Sequence, residues 1–90
     1  MAESSSTLTV QPTEDRTLDC RGLLCPMPIV KTGKEIKSLA PGQVLKVVTT
    51  DRGAIADMPA FAKDTGNSLL EWHQEGSDLV FYIRKEGQAE

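Results

Sequence analysis

The segment Cys25-Pro26-Met27-Pro28 holds the residues of this 90-residue chain that are best placed to do chemistry. Proline is favoured at the first position of a helix, where the backbone N–H would have no helical partner. We therefore predict that Pro26 opens a helix and that Cys25 is its N-cap. A thiol at the positive end of a helix dipole has a lowered pKa and reacts as the thiolate. The segment therefore predicts a nucleophilic cysteine that is open to a partner.

Both cysteines also have plainer interpretations. Cys25 could be a small buried apolar residue that happens to precede a proline. Cys20 could pack in a strand, or it could be a second thiol that forms a reversible disulfide with Cys25. Four residues separate the two cysteines, unlike the two found in most zinc or redox pairs, so we expect no metal site. His73 is the only histidine, and it lies so far along the chain that we expect a surface residue on a strand, not a Cys–His hydrolase.

Composition and charge narrow the class of protein. Apolar residues make up 39% and charged residues 26% of the chain, as is typical of soluble globular proteins. The net charge of −3 argues against a general nucleic-acid binder, although residues 16–46 carry six bases and only two acids. The longest apolar run, residues 23–30, is too short to span a membrane, and no signal peptide is visible. We expect a cytoplasmic protein without a structural disulfide.

The length predicts one domain. We place it at residues 15–86, after a flexible tail at 1–14 that is rich in serine, threonine and glutamate. Residues 87–90 form a polar C-terminal end.

Periodicity and turn residues predict the element order β-α-β-α-β-β. The predicted strands are 16–21, 43–50, 68–74 and 79–85, and the predicted helices are 26–39 and about 51–65, with Asp51 as a cap and Gly66 as a terminator. Pro59 leaves two alternatives for the second helix, a kink or a loose turn followed by a helix from about Met58. Each β-α-β step should join parallel strands by a right-handed crossover. The last two strands should form an antiparallel hairpin.

These elements predict an α+β fold, a two-layer α/β sandwich in which two helices cover one face of a mixed four-stranded sheet. Apolar spacing predicts which residues are buried in each element. They are Ile29, Gly33, Ile36 and Ala40 in the first helix, Ile55, Met58 and Ala62 in the second, and Leu79, Phe81 and Ile83 in the last strand.

Residues 18–28, Leu-Asp-Cys-Arg-Gly-Leu-Leu-Cys-Pro-Met-Pro, resemble the signature of the TusA/SirA-like sulfur-carrier family. That signature is Cys-Pro-x-Pro at the start of the first helix, preceded by Leu-Asp-x-x-Gly. The resemblance extends to Lys85 and includes Pro41-Gly42, Asp51, Asp57-Met58-Pro59 and the closing hairpin. Cys20 departs from the pattern, since alanine is usual at this position.

The resemblance implies a sulfurtransferase in the broad sense, a carrier that accepts sulfane sulfur as a persulfide on Cys25 and relays it to a cysteine of an acceptor protein. Donors in such systems are cysteine desulfurases or rhodaneses, and acceptors are DsrE-type or other sulfur-relay proteins. The sulfur ends in tRNA thiolation, molybdenum cofactor synthesis or sulfur oxidation. Pro26 and Pro28 would shape the cysteine loop, and Asp19 and Gly22 would form the junction of strand and loop.

The transfer needs neither an organic cofactor nor a metal ion. We hypothesise that Arg21 and Lys31, at the basic end of the domain, stabilise the anionic sulfur and attract acidic partners. The alternative is a non-catalytic regulatory or protein-interaction module of the same fold, which also resembles an RNA-binding domain of a translation initiation factor. Because the sequence lacks an aromatic stacking platform, we expect no direct nucleic-acid ligand.

Overall fold

The computed structural model describes residues 13–86, so the predicted 1–14 tail and 87–90 end lie almost wholly outside the described residues. Six elements follow the order β-α-β-α-β-β, which confirms the prediction, and their bounds lie within three residues of the predicted ones. They are β1 (Arg16–Cys20), α1 (Met27–Lys37), β2 (Val44–Thr49), α2 (Ala54–Thr65), β3 (Ser68–Glu75) and β4 (Asp78–Arg84).

The four strands form one mixed sheet in the order β1-β2-β4-β3. β1 and β2 are parallel, and β4 is antiparallel to both β2 and β3. β3 therefore runs in the same direction as β2, as predicted, but β4 lies between them. The hairpin thus inserts its second strand into the middle of the sheet, which explains why β4 is the most deeply buried strand.

Both helices cover one face of the sheet, as predicted. α1 packs on β1 and β2, and α2 packs on β3 and β4. Leu79, Phe81 and Ile83 of β4 point toward the helices and are fully buried in the main core. Successive side chains of a strand face opposite sides, so Val80 and Tyr82 point away from the helices, where they form a second, smaller cluster with Val44.

The buried face of α1 agrees with the predicted one at Ile36 but not at the other positions. Pro28, Thr32 and Ile36 are buried, whereas Ile29 and Gly33 are only half-buried and Ala40 is exposed beyond the helix end. The buried residues are still spaced four apart, as on one face of a helix, but that face contains Thr32, which the apolar pattern did not indicate. The Thr32 hydroxyl donates a hydrogen bond to the carbonyl of Pro28 at 2.7 Å, which satisfies it inside the protein.

α2 begins at Ala54 and continues through Pro59, so the predicted alternative of a helix that starts near Met58 is wrong. Proline has no N–H, so the helical bond to the carbonyl of Ile55 cannot form. The buried positions are Ala54, Met58 and Ala62, close to the predicted face. Gly66 ends the helix in the left-handed conformation, with φ of 75°, as its position predicts.

Asp51 does not cap the helix directly. The N-cap residue of α2 is Gly53. The Asp51 carboxylate accepts a hydrogen bond from the backbone N–H of Gly53 at 3.2 Å, so it shapes the turn that leads into the helix.

Candidate functional site

Two loops meet at one edge of the sheet and build the candidate site. Because β1 and β2 are parallel, the loops that follow them, residues 21–26 and 50–53, leave the sheet at the same edge. The backbone N–H of Gly22 donates a hydrogen bond to the Thr50 hydroxyl at 2.9 Å, which ties the two loops together. Gly22 has φ of 82°, a conformation that favours glycine.

Cys25 is exposed and lies at the end of the first of these loops. The Cys25–Pro26 peptide bond is cis. The N-cap of α1 is Pro26, not Cys25 as predicted, and no side chain caps the helix. The reason is the backbone of Pro26, whose ψ of 14° is not helical, so the helix begins only at Met27. Cys25 therefore lies one residue further from the helix dipole than the sequence indicates.

The carboxylate of Asp57 is the polar partner of the Cys25 thiol. The Cys25 Sγ lies 3.6 Å from Asp57 Oδ2, within hydrogen-bond distance for sulfur. Asp57 belongs to the first turn of α2, so the contact joins two residues that are 32 positions apart in the sequence. Together they line an open groove between the two helices, whose other lining residues are Pro26, Ile29, Ala60, Phe61 and Asp64.

The environment of Cys25 raises the pKa of its thiol, so the predicted lowering is wrong. Partial loss of hydration is the largest cause. The hydrogen bond to Asp57 and the negative charges of Asp57 and Asp51 act in the same direction. In the free protein, these neighbours favour the protonated thiol over the thiolate.

Cys20 lies at the end of β1, where it pairs with Thr49, and is fully buried in the main core. Burial raises the pKa of its thiol, against an opposing influence of the Lys31 charge. The packing interpretation of Cys20 fits this position. Both cysteines are free thiols in this structure, with Cys20 buried and Cys25 exposed.

Asp19 and Arg21 lie at the strand–loop junction, but they bind each other. The Arg21 guanidinium donates to both carboxylate oxygens of Asp19 at 3.0 Å and lies 3.7 Å from Asp78. The hydrogen bonds from the Arg21 side chain and backbone lower the pKa of Asp19 to about 2. The charge of Arg21 is therefore directed to carboxylates, and that of Lys31 acts on Cys20. The hypothesis that these two bases stabilise the Cys25 anion gains no support from this geometry.

His73 lies half-buried on β3, as a strand residue, and its Nε2 is 2.6 Å from a carboxylate oxygen of Glu75 on the same strand. Within residues 13–86, no group of three or more histidine, cysteine, aspartate or glutamate side chains could hold a metal ion. In the same part of the chain, no helix is long and apolar enough to cross a membrane.

A family model described as "Sulfurtransferase TusA" matches residues 16–85, from the first residue of β1 to just beyond β4. The chain belongs to the TusA family. The matched region contains both loops, the helix pair and the groove between them, so family membership covers the whole candidate site.

Curated members of the TusA family are similar over the same region. The sulfur carrier protein TusA of Allochromatium vinosum is 46% identical over 71 residues, which cover 79% of this chain and 93% of that protein. The sulfur carrier protein TusA of Pseudomonas entomophila is 41% identical over 71 residues, covering 79% of this chain and 89% of that protein. These relatives support a sulfur-carrier role for this TusA family member.

A solved structure confirms the fold. The crystal structure of a SirA-like protein from Desulfitobacterium hafniense superposes with a TM-score of 0.70 and covers 80% of this chain and 99% of that one. At 20% identity, this likeness shows the architecture alone.

Sequence reasoning missed two features of this TusA family site. The first is the pair of acidic side chains, Asp57 and Asp51, that act on Cys25. Because β1 and β2 are parallel, the helices that follow them start at the same edge of the sheet. This topology was a signal from which the closeness of Asp57 to Cys25 could have been predicted. The second is apolar surface beside the loop, where Leu24, Met27 and Val30 are exposed, Leu24 by 74%.

Proposed function

We propose that this chain is a sulfur carrier that accepts sulfane sulfur as a persulfide on Cys25 and passes it to a cysteine of an acceptor protein. Residues 15–86 are the carrier domain. Gly22 and Pro26 shape the loop that presents the thiol, and Pro28 packs the first turn of the helix that follows the loop. Asp19 and Arg21 bind each other at the junction of β1 and that loop.

The observation that carries this proposal is the contrast in access between the two sulfurs. Cys25 is exposed at a loop, beside an open groove, whereas Cys20 is fully buried. A persulfide passed between proteins requires a sulfur that a second protein can reach. Cys25 meets that requirement in the folded state.

Loading transfers one sulfur atom from a donor persulfide to the Cys25 thiol. The Cys25 thiolate attacks the outer sulfur of a donor persulfide, the new Cys25 Sγ–S bond forms, and the S–S bond of the donor breaks. The donor leaves as a thiolate and takes up the proton that Cys25 released. Unloading repeats these steps, with an acceptor thiolate attacking the outer sulfur and Cys25 as the leaving group. The persulfide moves from one protein to the next without net oxidation or reduction.

The surroundings of Cys25 fit a protein partner better than a small substrate. The groove is open, and the apolar side chains of Leu24, Met27 and Val30 are exposed in the segment of chain that contains Cys25. Exposed apolar side chains close in sequence to a reactive residue are consistent with a protein-binding surface. We propose a cysteine desulfurase or rhodanese as donor, a DsrE-type or similar relay protein as acceptor, and the cytoplasm as compartment.

Intact mass spectrometry after incubation with a donor tests the proposal. The protein is treated with a cysteine desulfurase, cysteine and pyridoxal phosphate, and separately with a rhodanese and thiosulfate. We expect wild type and Cys20→Ser to gain the mass of one sulfur atom that a reductant removes, and Cys25→Ser to gain none. Circular dichroism verifies that both variants are folded.

Two outcomes would contradict the carrier function. Loading of Cys25→Ser to the wild-type level would show that Cys25 is not the acceptor. If neither donor loads the wild-type protein and Cys25→Ser binds a relay partner as well as wild type does, the alternative of a non-catalytic interaction module is favoured.

A further inference from the structure

The Cys25 thiol and the Asp57 carboxylate come from different elements that the fold holds together. Cys25 precedes α1, Asp57 belongs to the first turn of α2, and the Gly22–Thr50 hydrogen bond joins the loops that lead to them. The 3.6 Å contact of Sγ and Oδ2 therefore joins the loop before α1 to the first turn of α2. Asp57 is half-buried, whereas Cys25 is exposed, so the carboxylate lies on the inner side of the sulfur.

We propose that Asp57 is a positioning residue that holds the exposed Cys25 sulfur in its S–H form and so limits its reactivity before a partner docks. This inference rests on the proposed function only where it takes Cys25 as the residue that receives sulfur. The state of the thiol itself can be measured without any sulfur donor.

The chemistry follows from the charge of the two possible sulfur species. A protonated thiol can donate a hydrogen bond to the carboxylate, whereas a thiolate at the same place would be repelled by it. The thiolate is the form that attacks disulfides, electrophiles and oxidants. A carboxylate in contact with an exposed cysteine therefore suppresses side reactions. The raised pKa of the Cys25 thiol agrees with this direction.

The other charged groups near the groove supply a matched control variant for Asp57→Asn. Asp51, in the loop before α2, reinforces the effect of Asp57 on Cys25. Asp64 lines the same groove, about two helical turns beyond Asp57, and is not a hydrogen-bond partner of the sulfur. On the α1 side, Arg21 is bound to Asp19, and the charge of Lys31 acts on Cys20. Asp64→Asn thus removes the same charge from the same groove without touching the sulfur.

The test is the rate of alkylation of Cys25 by iodoacetamide as a function of pH, followed by intact mass, in the full chain. We expect Asp57→Asn to move the midpoint of the profile down by about one pKa unit, since a like charge in contact is removed. At pH 7 the thiolate fraction then rises about tenfold, while its intrinsic nucleophilicity falls about threefold, for a net gain of about threefold. Above both midpoints, Asp57→Asn should react more slowly than wild type, so the two curves cross.

The variants separate this mechanism from a structural effect. Asp57→Glu retains the charge and should keep the wild-type midpoint to within a few tenths of a unit, and Asp64→Asn should leave the profile unchanged. The proposal is overturned by a wild-type midpoint in Asp57→Asn, by an equal shift in Asp64→Asn, or by a faster rate of equal factor at every pH. Persulfide loading of the same variants is measured separately, so failure of the carrier function and failure of this inference give different results.

Discussion

The two cysteines are five residues apart and yet occupy opposite environments. Cys20 is at the end of β1 with its sulfur in the core, and Cys25 is at the end of the next loop with its sulfur exposed. Both thiols have a raised pKa. For Cys20 the main cause is deep burial. For Cys25, two carboxylates add to a partial loss of hydration.

The difference shows which thiol can change its reactivity while the protein stays folded. Burial can be relieved only by opening the core, at a cost of several kcal/mol. A carboxylate contact at the surface can be relieved by a local change of charge or of hydrogen bonding, for instance when a partner covers the loop. A single strand–loop–helix segment thus contains one structural sulfur and one available sulfur.

Selective labelling should give the largest effect. We expect iodoacetamide to modify Cys25 at least about 1000-fold faster than Cys20 in the native protein, because an opening that costs about 4 kcal/mol lowers the reactive population about 1000-fold. Pulse labelling followed by peptide mass spectrometry measures both rates in one sample. A labelling rate of Cys20 within tenfold of the rate of Cys25 would contradict the contrast between a buried and an exposed thiol.

Substitution by serine should separate the two sites by stability. Cys20→Ser buries a hydroxyl in the core and is expected to cost about 1–3 kcal/mol in the free energy of unfolding. Cys25→Ser changes an exposed side chain and should stay within about 0.5 kcal/mol of wild type. Urea unfolding, followed by circular dichroism, gives both values. An equal cost at the two positions would mean that Cys20 is not a core residue.

The Asp19–Arg21 pair, whose residues flank Cys20 in the sequence, should give the smallest effect. Arg21→Gln is expected to raise the pKa of Asp19 from about 2 part of the way to its ordinary value of 3.8, as measured by carboxyl chemical shifts in NMR. Because the folded-state pKa is the lower one, this pair stabilises the fold above pH 3.8, and its contribution is lost as the pH falls through about 2.

The same variant sharpens the comparison, since the Arg21 charge is directed to Asp19 and Asp78. Arg21→Gln should therefore leave the alkylation profile of Cys25 unchanged. A shift of that profile as large as the one expected for Asp57→Asn would show that Arg21 acts on the sulfur after all.

Local sequence signals predicted the elements well. The alternation of Leu79, Phe81 and Ile83 identified the buried face of β4, and Gly66 marked the end of α2. The alternative of a late helix start at Met58 was wrong because one missing hydrogen bond at Pro59 is less costly than losing the packing of Met58 and Ala62, which lie on either side of it in the helix.

Features that depend on distant residues were not predictable in the same way. The position of β4 between β2 and β3 is decided by how the whole sheet packs. The pKa of Cys25 depends on Asp57, which only the meeting of two helices brings into contact. Pro26 and Cys25 by themselves indicate a helix start, whose dipole would lower the pKa of the Cys25 thiol. The carboxylates and the loss of hydration raise it instead.

The most direct test of the account is to locate the transferred sulfur in the loaded wild-type protein. Trypsin cleaves after Arg16, Arg21 and Lys31, so Cys20 and Cys25 fall in different peptides, 17–21 and 22–31. After loading by a desulfurase or a rhodanese and trapping with iodoacetamide, the additional sulfur should be found in peptide 22–31 alone. Additional sulfur in peptide 17–21 at a comparable level would contradict the assignment of Cys25 as the carrier.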